Sequence, residues 1–170
     1  MKKIYQAAAF LSAVLIAGFL VQTNHAQKTE PQKTQHDMEM HERGDKVMGF
    51  DHLKTTHHFL LAKDGGVIKV EANEGNDKES RDQIRKHLGH IAKMFSEGNF
   101  SAPMLVHSEN PPGTAVMKNL KAEIKYNFSE TERGALIRIS TNNPEARQAV
   151  YEFLRYQIRE HETGDPLELQ

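Results

Sequence analysis

Three rhythms of apolar and polar positions follow one another along this chain. Residues 7–21 run fifteen positions without a charge and are rich in Ala, Leu, Val, Ile and Phe, with Lys2 and Lys3 before them and a polar stretch ending at Ala26 after them. A positive start, an apolar run and a small residue before a cut predict a secretory signal over residues 1–26, cleaved after Ala26. Fifteen apolar residues fall short of the roughly 20 that a membrane span needs. Asn24 stands where a small residue is usual, three positions back, and an uncleaved segment would leave the chain anchored in the inner membrane. Residues 27–43 then contain no Leu, Ile, Val or aromatic side chain. Such a stretch buries too little surface to offset its ordering entropy, so residues 27–46 are expected to be a flexible His- and Met-containing tether.

From residue 47 onward the pattern becomes that of a packed domain. Residues 55–62 (TTHHFLLA) and 67–72 (VIKVEA) flank Lys63-Asp64-Gly65-Gly66, a strong hairpin signal because glycine supplies the positive φ of tight turns. Asn76-Asp77 can cap a helix, with Ser80 as a second candidate. Ile84, Leu88, Ile91 and Phe95 then recur at helical spacing up to Gly98. Residues 99–113, with three prolines, read as a loop, and Thr114 opens a short helix carrying Val116, Met117 and Leu120. Residues 122–128 and 135–141 form a second strand pair around Glu132-Arg133-Gly134. Asn143-Pro144 is a helix start with Asn as cap and Pro in the first turn, and Ala149, Val150, Phe153, Leu154, Gln157 and Ile158 form its apolar stripe.

The two halves resemble each other. Residues 66–70 align with 135–139, Ile84 and Leu88 with Val150 and Leu154, and Gly98-Asn99 with Gly164-Asp165. The expected fold is therefore α+β: two ββα units (55–98 and 122–164) in one mainly antiparallel four-stranded sheet, with two long helices on one face. Residues 47–165 are expected to be a single domain and residues 166–170 a frayed end.

Composition narrows the chemistry. The absence of cysteine excludes disulfides and a lipid-anchored export signal. The balance of 22 basic against 23 acidic residues gives no reason to expect nucleic acid as a partner. No phosphate-binding loop, nucleophile elbow or His-Glu-x-x-His is present. Ten histidines are the oddity, and imidazole is both the commonest metal ligand and the side chain that titrates near neutrality.

Two candidate sites follow. In the domain, His57 shares a strand face with Phe59 and Leu61, while His87 and His90 flank the stripe of the first long helix, with Met94 as a soft fourth donor. Three imidazoles there could surround zinc or copper. The second half carries Phe153 and Tyr156 where the first has His87 and His90, which favours flat rings packing at a core edge as the competing reading. In the tether, His36, Met38, Met40 and His41 place two thioethers and two imidazoles within six residues, a set suited to Cu(I) rather than Mg²⁺ or Ca²⁺.

The strings MGF-x3-KTTHHF (48–59), RDQIR-x-HL-x-HIA-x-MF (81–95) and EFLR-x-QI (152–158) resemble those of a group of small exported bacterial proteins without established function. The likeness spans roughly residues 43–165 and implies a secreted single-domain protein, with no activity and no catalytic residue to carry over.

The expected function is thus an exported, periplasmic, non-enzymatic metal-binding or metal-sensing protein for copper or zinc, with no membrane span after cleavage. The alternative is a structural domain binding a small ligand, a protein partner or a second copy, its histidines serving as packing. A third is a small hydrolase or lyase with His57 or His87 as general base.

Overall fold

The computed structural model describes residues 30–170. The signal expected over residues 1–26 and the side chain of His36 lie outside the described residues. Among these residues no helix is long and apolar enough to cross a membrane.

The elements run α1 (Glu30–Met48), β1 (Thr55–Ala62), β2 (Gly65–Ala72), α2 (Lys78–Ser96), α3 (Ser101–His107), α4 (Thr114–Asn119), β3 (Lys125–Glu130), β4 (Gly134–Ser140) and α5 (Pro144–Glu160). The four strands form one antiparallel sheet in the order β1-β2-β4-β3, so the fold is α+β. At the centre Ile68 pairs with Ile137, flanked by Gly66 with Ile139 and Val70 with Ala135. Under the sequence alignment of the two halves, Ile68 faces its own counterpart, which puts the pseudo-two-fold axis between β2 and β4.

The long helices begin where their sequences supply caps. The Asp77 carboxylate accepts from the Ser80 N–H and hydroxyl, and Asn143 accepts from the Glu145 and Ala146 N–H groups ahead of Pro144, which satisfies donors that the first helical turn leaves open. α2 lies over β3 and β4 and α5 over β1 and β2, so each helix covers the hairpin of the other half. Ile84, Leu88 and Phe95 of α2 meet Val150, Phe153 and Leu154 of α5 above Leu61, Ile68, Val70, Ile137 and Ile139 in one buried cluster. α5 sits close to the sheet at Gly66, where a Cβ would stand 2.2 Å from Leu154 Cδ1 and 2.5 Å from the Leu60 carbonyl oxygen.

Three sequence expectations are corrected. The tether is instead helix α1 over most of its length. Its sequence is rich in Glu, Gln, Lys and Met, good helix formers, with Pro31 tolerated in the first turn. Met40 is buried, Val47 and Met48 pack against the core, and Arg43 Nε donates to the Val106 carbonyl at 2.9 Å. Methionine and the stem of arginine supply the apolar contacts that a search for Leu, Ile, Val and aromatic residues overlooks. Part of the expected loop at 99–113 is helix α3, with Ala102, Val106 and His107 buried. The last residues do not fray as a group: Leu169 bridges to Leu61 in parallel, the Gln170 N–H donates to the Leu61 carbonyl at 2.9 Å, and Arg155 Nε donates to the Leu167 carbonyl at 2.9 Å.

Candidate functional site

The inner face of β1 carries Thr55, His57, Phe59 and Leu61, because alternate residues of a strand point the same way. His57 therefore lies under the helices, as its neighbours in sequence require. His58 points to the other face, where its Nδ1 pairs with Asp165 at 2.9 Å and the second carboxylate oxygen takes the Phe59 N–H at 2.9 Å.

Between α2 and α5, above β1 and β2, the layers leave a cavity of about 80 Å³. Phe59, Ile68 and Val70 form its floor, and Phe95 and Phe153 stand in its walls. α3 and the end of α1 contribute Val106 and Met48. Into this apolar lining the chain places four imidazoles, of His57, His87, His107 and His161, and the amide of Gln157. The rings pack on one another and on phenylalanines. His57 stacks on His161 with centroids 5.6 Å apart, His107 meets His161 edge-on at 5.1 Å, and Phe50 stands between His57 (6.0 Å) and His87 (5.6 Å).

Enclosure by protein dominates the electrostatics. Desolvation, reinforced by the neighbouring imidazole of His87, pushes His57 down to about 4, and His87 is likewise pushed down to about 4 by desolvation and by His90. Burial also holds His161 well below the ordinary imidazole range and lowers His107, the latter against the raising effect of its bond to Gln157. At neutral pH all four rings are uncharged.

Among the described residues, buried side-chain atoms of Tyr126, His107 and Gln157 lack a partner, and the last two lie together on the cavity wall. His107 and Gln157 are each only 4% exposed, and His107 Nε2 lies 3.2 Å from Gln157 Oε1. A carbonyl oxygen can only accept, so Nε2 carries the proton and Nδ1 is left as a bare acceptor. That Nδ1 and the Gln157 amide nitrogen both lack a partner. A lone acceptor and a lone donor thus belong to the same cavity wall.

A second, more polar chamber of about 260 Å³ adjoins the first and shares Met48, His57, Val106 and His161 with it. Its other walls include Met40, His41, Gly44, His52, Thr55 and Thr56. His41 and His52 are stacked at 4.3 Å, and His52 Nδ1 lies 2.9 and 3.0 Å from the two oxygens of Asp45.

No family model, curated protein or solved structure matches this chain.

The expected domain cage does not assemble. His57 and His87 share the inner cavity, but His90 is exposed on the outer side of α2 and Met94 packs against the core outside the cavity lining. His90 stands about 60° round the helix from His87, toward solvent, whereas Met94 is nearly in line with His87 but about 10 Å farther along the axis, two turns on. Among the described residues, the group of three His, Asp or Glu ligand atoms lying within 4.8 Å of one another is Asp45, Asp51 and His52. Those atoms already serve a turn: Asp51 Oδ1 takes the Leu53 N–H at 2.8 Å and Asp45 Oδ1 the His52 N–H at 3.0 Å. The expected tether cluster is also divided. Met38 is 57% exposed, whereas Met40 is 2% exposed and lines the outer chamber beside His41.

Sequence reasoning passed over His161 and His52 and counted Gln157 only as part of a stripe. The signal for His161 was present: Val150, Leu154, Gln157 and His161 recur at spacings of four, three and four, the inward face of α5 continued past its last turn.

Proposed function

We propose that this protein is an exported, non-enzymatic binding module whose inner cavity takes a small uncharged molecule with an apolar body and a head that both donates and accepts a hydrogen bond. The observation that carries this reading is the pair of unpartnered atoms, His107 Nδ1 and Gln157 Nε2, in a wall that apart from three further imidazoles is apolar. A buried polar atom without a partner costs about 1–3 kcal/mol, and a hydroxyl or primary amide between the two would satisfy both. An apolar cavity with a few convergent polar groups is the usual form of a ligand site. Its volume is roughly half that of an engineered cavity of about 150 Å³ that holds benzene, so the class is short alcohols and small amides. The neutral imidazoles of His57, His87 and His161 suit an uncharged guest and would repel none.

The test is ligand-observed NMR and thermal melting of the full chain with short alcohols, primary amides and hydrocarbons of the same shape. The alcohols and amides should bind at least tenfold more tightly than the hydrocarbons. The His107→Leu/Gln157→Leu variant should lose that preference while melting at a higher temperature than the parent. Equal binding of the hydrocarbons, or binding of no compound in the panel, overturns the proposal.

A further inference from the structure

The outer chamber brings together donors that the sequence holds apart. Met40 and His41 come from the middle of α1, Met48 from its end, His52 from the turn after it, His57 from β1 and His161 from the cap of α5. Two thioethers and four imidazoles, with the Glu162 carboxylate also in the lining, surround about 260 Å³ and form a predominantly soft donor set. Thioether sulfur selects Cu(I) among biological cations and is a poor ligand for Mg²⁺, Ca²⁺ or Zn²⁺.

A second observation points the same way. The two Asp45 oxygens at 2.9 and 3.0 Å fix the proton of His52 on Nδ1 and leave Nε2 as the ring's lone-pair donor. A carboxylate on the far ring nitrogen is the arrangement that orients metal-bound imidazoles and raises their basicity. Stacking limits which rings can act together. His41 and His52 lie parallel, with 7° between planes at 4.3 Å, and His57 and His161 lie 12° apart at 5.6 Å. In-plane lone pairs of parallel rings do not converge on one ion, so each stack can offer one donor without rearrangement. That leaves His52 from the first stack, one ring from the second, and the two methionine sulfurs.

We propose that the outer chamber is a site for one copper(I) ion, held by the thioethers of Met40 and Met48, by His52 oriented by Asp45, and by one ring of the His57–His161 stack. The site stands apart from the ligand proposed for the inner cavity, because His107 and Gln157 take no part in it.

The experiment is anaerobic titration of the full chain with Cu(I) against a chromophoric copper(I) chelator, with X-ray absorption of the loaded protein. One ion per chain should resist the chelator, and sulfur should scatter in its first shell. Met40→Leu/Met48→Leu conserves side-chain volume and should lower affinity at least tenfold, with a smaller loss for Asp45→Asn. His36→Ala/Met38→Leu and His107→Leu/Gln157→Leu should leave the affinity unchanged. The proposal is overturned if no copper is retained against the chelator, if affinity survives the double methionine variant, or if it falls with His36 and Met38 instead. Should the methionine variant fail to fold, the absorption spectrum of the parent decides: sulfur neighbours support the site, and a nitrogen-only shell removes it.

Discussion

The two halves of the sheet share a backbone plan and differ in what they put beneath the helices. With residues 66–70 aligned on 135–139, His57 of the first half corresponds to Tyr126 of the second, and with Ile84 aligned on Val150, His87 corresponds to Phe153. In the second half those positions hold carbocyclic aromatics: Tyr126 and Phe153 both meet the Phe95 ring edge-on, at 5.9 and 5.8 Å, with Phe153 in the cavity wall and the Tyr126 hydroxyl buried without a partner. In the first half the same places hold imidazoles that burial keeps uncharged, around a cavity. The fold does not require imidazole at either position, because its own second half does without. Desolvated histidines in one half, where the other half has carbocyclic aromatics, mark where the two halves depart from each other, and the proposed ligand cavity lies there.

The largest effect should come from acid. Unfolded, these imidazoles titrate near 6.5, whereas His57 and His87 in the folded chain are pushed down to about 4. Between those values the unfolded chain binds more protons, so stability is fully present above about pH 6.5 and is lost as pH falls toward 4. Each unit of displacement is worth about 1.4 kcal/mol, and two such groups remove several kcal/mol across the window. Giving the first half the residues of the second, His57→Tyr with His87→Phe, should flatten most of this slope. His107 and His161, also lowered, would keep the remainder. Denaturant melts at pH 7, 6, 5 and 4 measure it; a double variant as acid-sensitive as the parent would mean that the imidazoles are not the cause.

A second contrast lies at the sheet centre, where Gly66 corresponds to Ala135. Ala135 is fully buried and accommodates its methyl group. At Gly66 a Cβ would overlap Leu154 Cδ1, the end of a side chain that can turn, and the Leu60 carbonyl oxygen, which is backbone and cannot give way cheaply. Gly66→Ala should therefore destabilise the chain by about 1–3 kcal/mol. It should also push α5 off β2, whereas Ala135→Gly, which opens a void without a clash, should leave α5 in place. Backbone chemical shifts of α5 distinguish the two.

These contrasts also indicate what the sequence could reveal. The hairpins, both capped long helices and the placing of His57 on the inner face were legible because strand alternation and helical periodicity act over few residues. The convergence of His57 with His161 was not, since it depends on α5 crossing to the opposite hairpin. Helix α1 was missed because its contacts come from Met40, Met48 and Arg43, residue types that read as polar tether when the chain is scanned for branched and aromatic side chains. Of the proposed copper donors, the sequence singles out His57 in the strand and Met40, one of four local tether ligands with His36, Met38 and His41. Met48, His52 and His161 join them only through the fold.

The last effect concerns the two edges of the sheet. An open edge strand invites pairing with another chain unless charge, brevity or a covering segment protects it. The edge at β3 is a six-residue strand carrying Lys125 and Glu130, both exposed. The edge at β1 is longer and more apolar, and the chain covers it with its own end: Asp165 takes the Phe59 N–H, and the Gln170 N–H reaches the Leu61 carbonyl beside the Leu61–Leu169 bridge. Removing residues 166–170 deletes the Gln170–Leu61 contact, the Arg155 bond to the Leu167 carbonyl and the packing of Leu167 on the core, and leaves Asp165 in place. The expected loss is about 2 kcal/mol, the net worth of two typical hydrogen bonds, with a melting temperature lower by several degrees. Self-association should appear as concentration rises, because the exposed part of β1 can then pair with a second copy. Sedimentation of the shortened chain reads this directly. If it stays monomeric and melts with the parent, β1 is protected by Asp165 alone and the tail is incidental to the edge.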